Sequence, residues 1–592
     1  MRSSICRRYA VLLPIVPLLA ASVASAQTEA DSIFVDRVDV NVVNVEVFVT
    51  DEKGRRVTGL EPDDFEIHED GRAVEISNFY AVARVARLSE DLARDRELLR
   101  SERPASSARR ELPEDQQLNL LVYFDHFNLH QVSQTRVLED LESFLEDRLN
   151  QGDNVMLVGY NRKIEVVQNF TRDRQAIADG LKKLRKVATH AQLDDAERYR
   201  AMRLMFPTPQ TSAAGNSARL PGDDESAAYH VLRSYVQKVR SDLRYSTAAV
   251  ESVARSLAGL PGRKAILYIS DGLPKRPGES LYQHFQDLYG SSLPAASARS
   301  LDPMVESLAE NEAQLMNQIV RQANAHQVTF YTLYAHGLGD SSTSSQFTET
   351  SAAAGGRTNL DTMRTLNLQE PLIDMAEATG GASILNTYSF RRAFDQLSED
   401  FDSFYSLGYR SHHGGDGKYH KIDVRVKRHG FKVRHRTGFV DKPEVERVAD
   451  RTLSSLILNL EKNPLGVNID FGQPEKSAGQ TFLVPILVRI PFREITLLPN
   501  GEVEQGQLRI FLAVQDEKGG ISKTHEFPYP LTVPRDQVAT ARDREIGYST
   551  TLQMRRGVPK VAVGVWDELS GTESFVHKSL RVGETTRSKK GP

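Results

Sequence analysis

The stretch Leu118–Asn128, which reads L-N-L-L-V-Y-F-D-H-F-N, decides the fold of this chain. Its near-continuous apolar run, Leu120–Phe124, is typical of a parallel strand buried on both faces, and the run ends on a carboxylate, Asp125. An amphipathic helical pattern follows over residues 137–149, and a second apolar run over 155–158. Strand, helix and strand with short joins predict a βαβ unit and a mostly parallel sheet. Because ligands bind such sheets at the carboxyl ends of the strands, Asp125 is a candidate site residue by position.

The same pattern of a strand followed by a carboxylate recurs further along the chain. Arg263–Gly272 (R-K-A-I-L-Y-I-S-D-G) is a second buried run, and it ends on Asp271. Lys163–Phe170 alternates apolar and polar residues, which predicts an antiparallel edge strand. The α/β domain is predicted over residues 118–400, with further strands at 328–334 and 383–386. Two insertions are predicted within it, at 190–228 and 338–360. The insertion at 338–360 is rich in Ser, Thr and Gly and is predicted to be a mobile surface loop.

Alternating β patterns flank this α/β region on both sides. Residues 33–85 and 403–441 each contain too few strands to close a sandwich, so we expect one split β-sandwich with the α/β domain inserted between its halves. Residues 86–117 are highly charged and are interpreted as a linker. Residues 450–585 predict a second, immunoglobulin-like β-sandwich, with its clearest strands at Thr481–Val488, Leu508–Val514 and Val561–Val565.

The composition is that of an ordinary globular protein. The 592 residues are 40% apolar and 26% charged, enough for about three or four domains of ~150 residues. Residues 1–26 have the pattern of an export signal: a basic start, the apolar run Tyr9–Ala21 and the cleavage signal Ala24-Ser25-Ala26. At 13 residues that run is shorter than the ~20 needed to cross a bilayer. We therefore expect an exported, periplasmic or secreted protein without a transmembrane segment in its mature chain.

Two features of the mature chain exclude classes of function. The only cysteine, Cys6, lies in the signal, which excludes disulfides, thiol catalysis and zinc–thiolate sites. Loss of the signal removes three arginines and no acids, so the formal net charge goes from −4 to −7. A mildly acidic surface does not favour nucleic acid as a partner.

The two acidic strand tips, Asp125 and Asp271, are expected side by side at the carboxyl edge of the sheet. Two carboxylates with nearby hydroxyl groups form a hard oxygen site that suits Mg²⁺ or a similar divalent cation. The alternative is that both carboxylates cap loops by accepting hydrogen bonds from backbone N–H groups.

Four segments resemble a von Willebrand factor A-type domain, and more narrowly the VWFA-related proteins known mainly from acidobacteria: F-D-H-F-N (124–128), N-F-T-R-D-R (169–174), I-L-Y-I-S-D-G-L-P (266–274) and F-Y-S-L-G-Y (404–409). The similarity covers roughly residues 35–440. It implies a Rossmann-like α/β fold with a mostly parallel sheet. A-type domains hold a metal with D-x-S-x-S after the first strand, a Thr on a middle loop and an Asp after the fourth strand.

The resemblance implies a metal site in a degenerate form, with the set Asp125, Asn128, Thr189 and Asp271. Asp125 matches the first Asp of the motif, Thr189 falls where the loop Thr is expected, and Asp271 matches the last Asp. The two serine positions are occupied by Phe127 and Leu129, which cannot coordinate a metal. Asn128 is then the substitute oxygen donor.

An enzyme is the rival class, and a hydrolase that uses Asp125 with His126 is the alternative function. His126 and His130 have H-x-x-x-H spacing, but the Glu that H-E-x-x-H requires is not between them. The chain also lacks a G-x-S-x-G elbow, a P-loop and a G-x-G-x-x-G motif. A separate Gly-rich turn is interpreted either as a solvated surface loop or as a metal site, because it contains His412, His413, Asp416 and His420.

The favoured prediction is an exported binding protein of the adhesion type, or an envelope scaffold, with no catalytic residues. The carboxyl-end face of the α/β domain and the segments 190–228 and 338–360 are expected to contact an unknown protein partner. In A-type domains with a complete site, a carboxylate of the partner completes the metal shell. The departures at Phe127 and Leu129 leave open whether this chain binds with or without that step.

Overall fold

The computed structural model describes residues 42–83, 117–205, 223–289, 312–337, 354–477, 479–517 and 520–583. The predicted export signal, most of the predicted linker and parts of both predicted insertions lie outside these residues. Among the described helices, none is both long and apolar enough to span a bilayer.

The first described segment forms strands β1 (Val42–Asp51), β2 (Phe65–Glu69), β3 (Arg72–Val74) and β4 (Ile76–Ala83). The strands of the α/β region are β5 (Leu118–Asp125), β6 (Asn154–Tyr160), β7 (Ile164–Thr171), β8 (Arg263–Ser270), β9 (Val328–Tyr334) and β10 (Ser383–Ile384). Its helices are α1 (Gln131–Asn150), α2 (Arg174–Leu184), α3 (Ala191–Met205), α4 (Asp223–Ser256), α5 (Glu279–Tyr289), α6 (312–325), α7 (Ala354–Ala378) and α8 (Phe390–Asp402).

Strands β5 to β10 form one six-stranded sheet in the order β10-β9-β8-β5-β6-β7. The first five strands in this order are parallel to one another, and β7 runs antiparallel to β6. The predicted α/β class and the predicted antiparallel edge strand are therefore confirmed. Every residue of β5 and of β8 is buried, which explains their near-continuous apolar runs.

Helices cover both faces of this sheet. Leu120, Val122 and Phe124 of β5 share one apolar core with residues of α1, α2 and α8. The intervening residues Leu121 and Tyr123 belong to a second core with residues of α4, α6 and α7. This alternation follows from the strand geometry, in which successive side chains point to opposite faces.

Both predicted insertions contain helix. In the first, α3 packs against α4, with Met202, Met205 and Leu232 in one apolar core. The loop prediction is wrong for residues 354–360, because α7 begins at Ala354 and Leu360 is buried in that same core. The first turn of α7 includes two glycines, which gave the segment a loop-like composition.

After the α/β region the chain forms β11 (Ser403–Arg410), β12 (Tyr419–Val426), β13 (Phe431–His435) and β14 (Gly438–Val440). These strands pair antiparallel with the first segment in two four-stranded sheets, ordered β13-β1-β11-β4 and β14-β12-β2-β3. Residues of both sheets, including Val45, Phe65 and Leu407, share one apolar core. Strands on either side of the α/β region thus build the same pair of sheets.

The C-terminal part begins with helix α9 (Glu444–Leu458), so the prediction of β structure from residue 450 is wrong at its start. The strands that follow are β15 (Asn468–Phe471), β16 (Glu475–Lys476), β17 (Thr481–Pro491), β18 (Leu498–Asn500), β19 (Val503–Gln515), β20 (His525–Pro534), β21 (Glu545–Arg555), β22 (Lys560–Asp567) and β23 (Glu573–Ser579). They form two antiparallel sheets around a common core, and β17, β19 and β22 contain the three strands predicted from sequence. A short helix, α10, spans Val538–Ala541.

Candidate functional site

Strand ends meet at the carboxyl edge of the six-stranded sheet. β5 ends on Asp125, and the neighbouring strand β8 is followed directly by Asp271. The backbone N–H of Asp271 donates to the carbonyl of Asn128 at 2.8 Å, and the N–H of Ala335, after β9, donates to the carbonyl of Ser270 at 2.9 Å. The structure therefore places both predicted acidic strand tips at one rim.

Asp125 is fully buried. Its carboxylate accepts hydrogen bonds from the backbone N–H of Asn128 at 3.2 Å, from Nδ2 of Asn128 at 2.9 Å and from the hydroxyl of Tyr268. Burial raises the pKa of Asp125 to about 6, although all three hydrogen bonds favour the charged form. Both carboxylate oxygens thus have donors within the protein, which is the loop-capping role named above as the alternative to metal binding.

Asp271 holds the start of helix α1. Its Oδ2 accepts from the backbone N–H of His130 at 2.8 Å and from the hydroxyl of Ser133 at 3.0 Å, and it lies 2.6 Å from Nδ1 of His130. A carboxylate here satisfies backbone donors at the helix N-terminus and is favoured by the helix dipole. The second oxygen, Oδ1, is buried without a hydrogen-bond partner among the described residues.

His130 bridges two carboxylates. Its Nε2 lies 2.9 Å from Oδ2 of Asp195 on α3, and Oδ1 of Asp195 accepts from Arg364 on α7 at 2.5 Å. Burial alone would lower the pKa of His130, but the hydrogen bonds and charges of Asp195 and Asp271 raise it to about 9. Burial would raise the pKa of Asp195, but Arg364 and His130 hold it well below its usual value. At neutral pH this group is therefore a network of charged side chains.

His336 lies beside this network, with its ring centroid 5.5 Å from that of His130. One ligand atom each of His130, Asp271 and His336 lie within 4.8 Å of one another. Nitrogen and oxygen ligands at such spacing suit a divalent transition metal. Burial lowers the pKa of His336, which favours the neutral imidazole that binds metals.

The structure brings together part of the predicted metal set. Asn128 donates to Asp125 and to the hydroxyl of Ser246, at 2.9 and 3.2 Å. The hydroxyl of Thr189 instead lies 3.1 Å from Oε1 of Gln192. Within the described part of the chain, no hydrogen bond joins Thr189 to either acidic strand tip. The complete set Asp125, Asn128, Thr189 and Asp271 stays a prediction.

The hydrolase alternative requires Asp125 and His126 to act together. The His126 ring is buried and stacks on Phe124, with ring centroids 5.7 Å apart. Neither ring nitrogen has a hydrogen-bond partner among the described residues, Asp125 included. Burial lowers the pKa of His126 to about 4, so the ring is neutral. No contact in the structure favours this alternative, which also stays a prediction.

A cavity of about 140 Å³ opens at the rim. Its lining includes His130, Asp271, His336, Arg198 and Arg364. Arg198 is only 2% exposed; it donates to Asp361 at 3.1 Å, and its Nε has no hydrogen-bond partner among the described residues. Two buried polar atoms of residues that line this cavity therefore have no hydrogen-bond partner among the described residues. They are the donor Nε of Arg198 and the acceptor Oδ1 of Asp271.

Sequence reasoning missed three residues of this site. His336 follows β9 much as Asp271 follows β8, so the strand-end pattern could have identified it. Asp195 lies on a helix within the segment interpreted as an insertion, and Arg364 lies on α7 just after the predicted surface loop. Local sequence carries no signal that these two side chains meet.

No protein-family model matches the chain, and no curated protein matches it. Solved structures with some likeness include an aerotolerance-related membrane protein from Bacteroides fragilis, at 11% identity and a TM-score of 0.20, covering 48% of this chain and 98% of that one. Another is proximal thread matrix protein 1 from the mussel byssus, with a zinc-occupied MIDAS motif, at 9% identity and a TM-score of 0.14, covering 50% of this chain and 99% of that one. A third is the pilus tip protein Mfa5 from Porphyromonas gingivalis (three N-terminal domains), at 8% identity and a TM-score of 0.20, covering 88% of this chain and 78% of that one. At such TM-scores these likenesses carry no argument, and the α/β assignment rests on the strand order described above.

Proposed function

We propose that this chain is an exported protein-binding protein, of the adhesion type or an envelope scaffold, that contacts its partner with the carboxyl-end rim of a von Willebrand factor A-type domain. The observation that carries the proposal is the rim cavity, whose lining includes Asp271, a residue with one carboxylate oxygen, Oδ1, that is buried without a hydrogen-bond donor among the described residues. An unsatisfied buried acceptor costs roughly 1–3 kcal/mol, so a donor or cation brought by a partner gains that energy on binding.

The cavity suits a small polar group better than an apolar one. Its lining places the cations His130, Arg198 and Arg364 near the carboxylates Asp194 and Asp271. A cleft with charges of both signs and a volume of about 140 Å³ fits a single polar side chain, not an extended ligand. The proposed partner therefore inserts one polar side chain at the rim, and the surrounding surface supplies the remaining contact area.

The domain arrangement belongs to the same proposal. The α/β domain is inserted in a split β-sandwich, and an immunoglobulin-like sandwich follows. The shared pairing of strands from residues 42–83 and 403–440 supports the insertion, because both segments contribute to both sheets. A rim held between such modules is presented by rigid elements on both sides, which reduces the entropy lost on binding.

The proposal also includes a divalent cation bound at the rim. The contacts favour the His130–Asp271–His336 group over the set that includes Thr189, since these three offer ligand atoms within 4.8 Å. Within that group, Oδ1 of Asp271 and the neutral His336 are the available ligands, because both ring nitrogens of His130 face carboxylates. Asp271 is common to both sets. Both oxygens of Asp125 already accept hydrogen bonds, so its role would be to hold Asn128 and the loop that carries His130.

The test is capture of partners from an envelope extract by the immobilised full chain, followed by identification of the captured protein. Asp271→Asn and His336→Ala should each abolish capture of the same protein that wild type retains. Asp543→Asn, at an exposed carboxylate of the C-terminal part, is the matched control and should capture as wild type does. Equal capture by the rim variants and the control would contradict the proposal.

Calorimetry tests the cation separately. Titration of Mg²⁺, Mn²⁺ and Ca²⁺ into wild type should give a heat of binding that is absent in Asp271→Asn. Asp125→Ala distinguishes the set that includes Asp125 and Thr189 from the His130–Asp271–His336 set. If heat survives in Asp125→Ala and vanishes in Asp271→Asn, the His130–Asp271–His336 set is supported. Absence of heat in every wild-type titration would remove the cation from the proposal and leave the binding rim.

A further inference from the structure

A second group of histidines and carboxylates lies in the antiparallel sheets, away from the rim. Glu69 ends β2 and Asp70 begins the turn into β3; His413 and Asp416 lie between β11 and β12, and His420 lies in β12. We call these five residues the hairpin cluster. The antiparallel pairing of β2 with β12 brings them together, although His420 and Asp70 are 350 residues apart.

Three side chains of the hairpin cluster, Glu69, His413 and His420, offer ligand atoms at the spacing of a metal site, and Asp70 lies beside both histidines. Nε2 of His413 lies 3.5 Å from Oε1 of Glu69 and 3.6 Å from Oδ2 of Asp70, and Nδ1 of His420 lies 2.8 Å from that same Oδ2. Ligand atoms of Glu69, His413 and His420 lie within 4.8 Å of one another. Ligands about 2.1 Å from a central zinc ion stand about 3.4 Å apart at the corners of a tetrahedron.

Outer contacts orient each of these groups. Nε2 of His420 lies 3.0 Å from Oδ1 of Asp416, and Nδ1 lies 2.8 Å from Oδ2 of Asp70, so this ring joins two carboxylates in the metal-free chain. On metal binding, Asp416 would hold the proton on Nε2, and Nδ1 would lose its proton to coordinate the ion. The backbone N–H of Lys421 donates to Oδ1 of Asp70 at 2.8 Å and leaves Oδ2 facing the histidines. The hydroxyl of Ser411 donates to Oε1 of Glu69 at 2.8 Å. A carboxylate behind a ligating histidine is the usual outer contact of a zinc site.

Glu69 supplies an independent indication. Its side chain is 3% exposed, and its Oε2 makes no hydrogen bond of good geometry among the described residues, although the hydroxyl of Tyr409 interacts with this carboxylate. The rings of His413 and His420 stack beside it, with centroids 3.7 Å apart. A carboxylate held in the interior with an unused oxygen is costly unless a cation compensates it.

We propose that Glu69, Asp70, His413 and His420 bind a Zn²⁺ ion, with Asp416 and Ser411 orienting the ligands. Two imidazoles in a four-ligand set favour Zn²⁺ over Mg²⁺ and Ca²⁺, which take oxygen ligands. The site needs no thiolate, consistent with a chain whose single cysteine is Cys6. The ion would join the two chain segments that flank the α/β region, and so close a loop of about 350 residues.

The experiment uses the full chain without a histidine tag, stripped with EDTA. Zn²⁺ binding is measured by calorimetry, and the geometry is read from the visible absorption of bound Co²⁺. Wild type should bind Zn²⁺ at a site that gives the intense spectrum of tetrahedral Co²⁺. His413→Ala, at a half-buried position, should weaken Zn²⁺ binding at least tenfold and abolish that spectrum, and Asp416→Asn should weaken binding by about 10- to 100-fold.

His412→Ala is the matched control, because His412 is the exposed neighbour in the same turn. It should bind as wild type does. Circular dichroism of the metal-free proteins checks that each variant folds. A wild-type Co²⁺ complex without the tetrahedral spectrum, or a His413→Ala complex that keeps this spectrum undiminished, would each overturn the proposal.

Discussion

The rim and the hairpin cluster contain the same residue types, but they differ in how one histidine is held. His420 resembles the rim histidine, since its ring nitrogens lie 2.8 and 3.0 Å from carboxylates, whereas His413 does not. At the rim, both ring nitrogens of His130 lie within 2.9 Å of carboxylates, Asp271 and Asp195. In the hairpin cluster, Nε2 of His413 lies 3.5 and 3.6 Å from its two carboxylates, beyond good hydrogen-bond distance. Both ring nitrogens of His130 are therefore engaged in ion pairs, whereas Nε2 of His413 makes no short contact with its carboxylates.

Spacing thus distinguishes a histidine held in ion pairs, such as His130, from one with a nitrogen open to a ligand, such as His413. The His130 contacts stabilise the folded chain without any ligand. We expect His413 to add stability only when a cation lies between its ring and the neighbouring carboxylates. Four measurements test this difference.

Asp271→Ala should have the largest effect, a loss of about 3–5 kcal/mol in the free energy of unfolding, because it leaves the partly buried His130 cation with Asp195 as its remaining carboxylate partner. It also removes the bonds from the His130 backbone N–H and the Ser133 hydroxyl. Urea unfolding at pH 7 measures the loss. Asp543→Ala, at an exposed position, should be near neutral, and an equal midpoint for the two variants would show that the rim is not a structural network.

His130→Gln should remove the decline in the free energy of unfolding that wild type shows as the pH rises from 6 to 9.5. The pKa of His130 is raised from its ordinary value of 6.5 to about 9, so its contribution is fully present below pH 6.5 and is lost as the pH rises through 9. A shift of this size corresponds to about 3 kcal/mol. Denaturant unfolding of wild type from pH 6 to 9.5 should show this decline and the variant should not; parallel curves would contradict the ion-pair assignment.

Asp125→Asn should have a smaller effect, and of opposite sign at neutral pH. The pKa of Asp125 is raised from 3.8 to about 6, so its contribution is greatest below pH 3.8 and is lost as the pH rises through 6. At pH 7 the buried charge destabilises the fold, and the amide should gain about 1–2 kcal/mol after the loss of one accepted hydrogen bond. Thermal unfolding at pH 5 and pH 7.5 measures this. Destabilisation at pH 7.5 would mean that the carboxylate has a ligand at the rim.

Zinc removal should have the smallest effect. At a Zn²⁺ concentration ten times the dissociation constant, binding stabilises the folded chain by about 1.4 kcal/mol, and EDTA should reverse this. His413→Ala should show no response to either reagent. A response that persists in this variant would place the ion elsewhere.

The sequence predicted the parts of the fold that depend on hydrophobic pattern. β5 and β8 were identified because both are buried along their whole length. Helix α9 was missed although its inward side keeps the helical apolar spacing, at Val445, Val448, Ala449, Leu453 and Leu456. Small polar residues are buried beside them, and Thr452 fits because Gly564 has no side chain; a Cβ at Gly564 would lie 2.0 Å from the Thr452 hydroxyl. The apolar period was therefore present in the sequence and could have predicted this helix.

The candidate sites were predictable to different extents. The strand-end pattern identified Asp125 and Asp271 because parallel strands place their carboxyl ends at one edge. This pattern did not identify Asp195 and Arg364, because they reach the rim from helices and not from strand ends. In the hairpin cluster, His413 and His420 were noticed because they are close in the chain, but Glu69 joins them only through strand pairing.

Over its first six residues strand β1 pairs with β11, from Val42 opposite Arg410 to Val47 opposite Tyr405. The residues at the first of these positions are 368 apart in the chain. At a synthesis rate of about 5–20 residues per second, β1 leaves the ribosome roughly 20–70 s before β11 exists. An apolar strand without its neighbour for that time is a target for aggregation and for chaperones. The interleaved topology therefore lets β1 pair only after the whole α/β region has been synthesised.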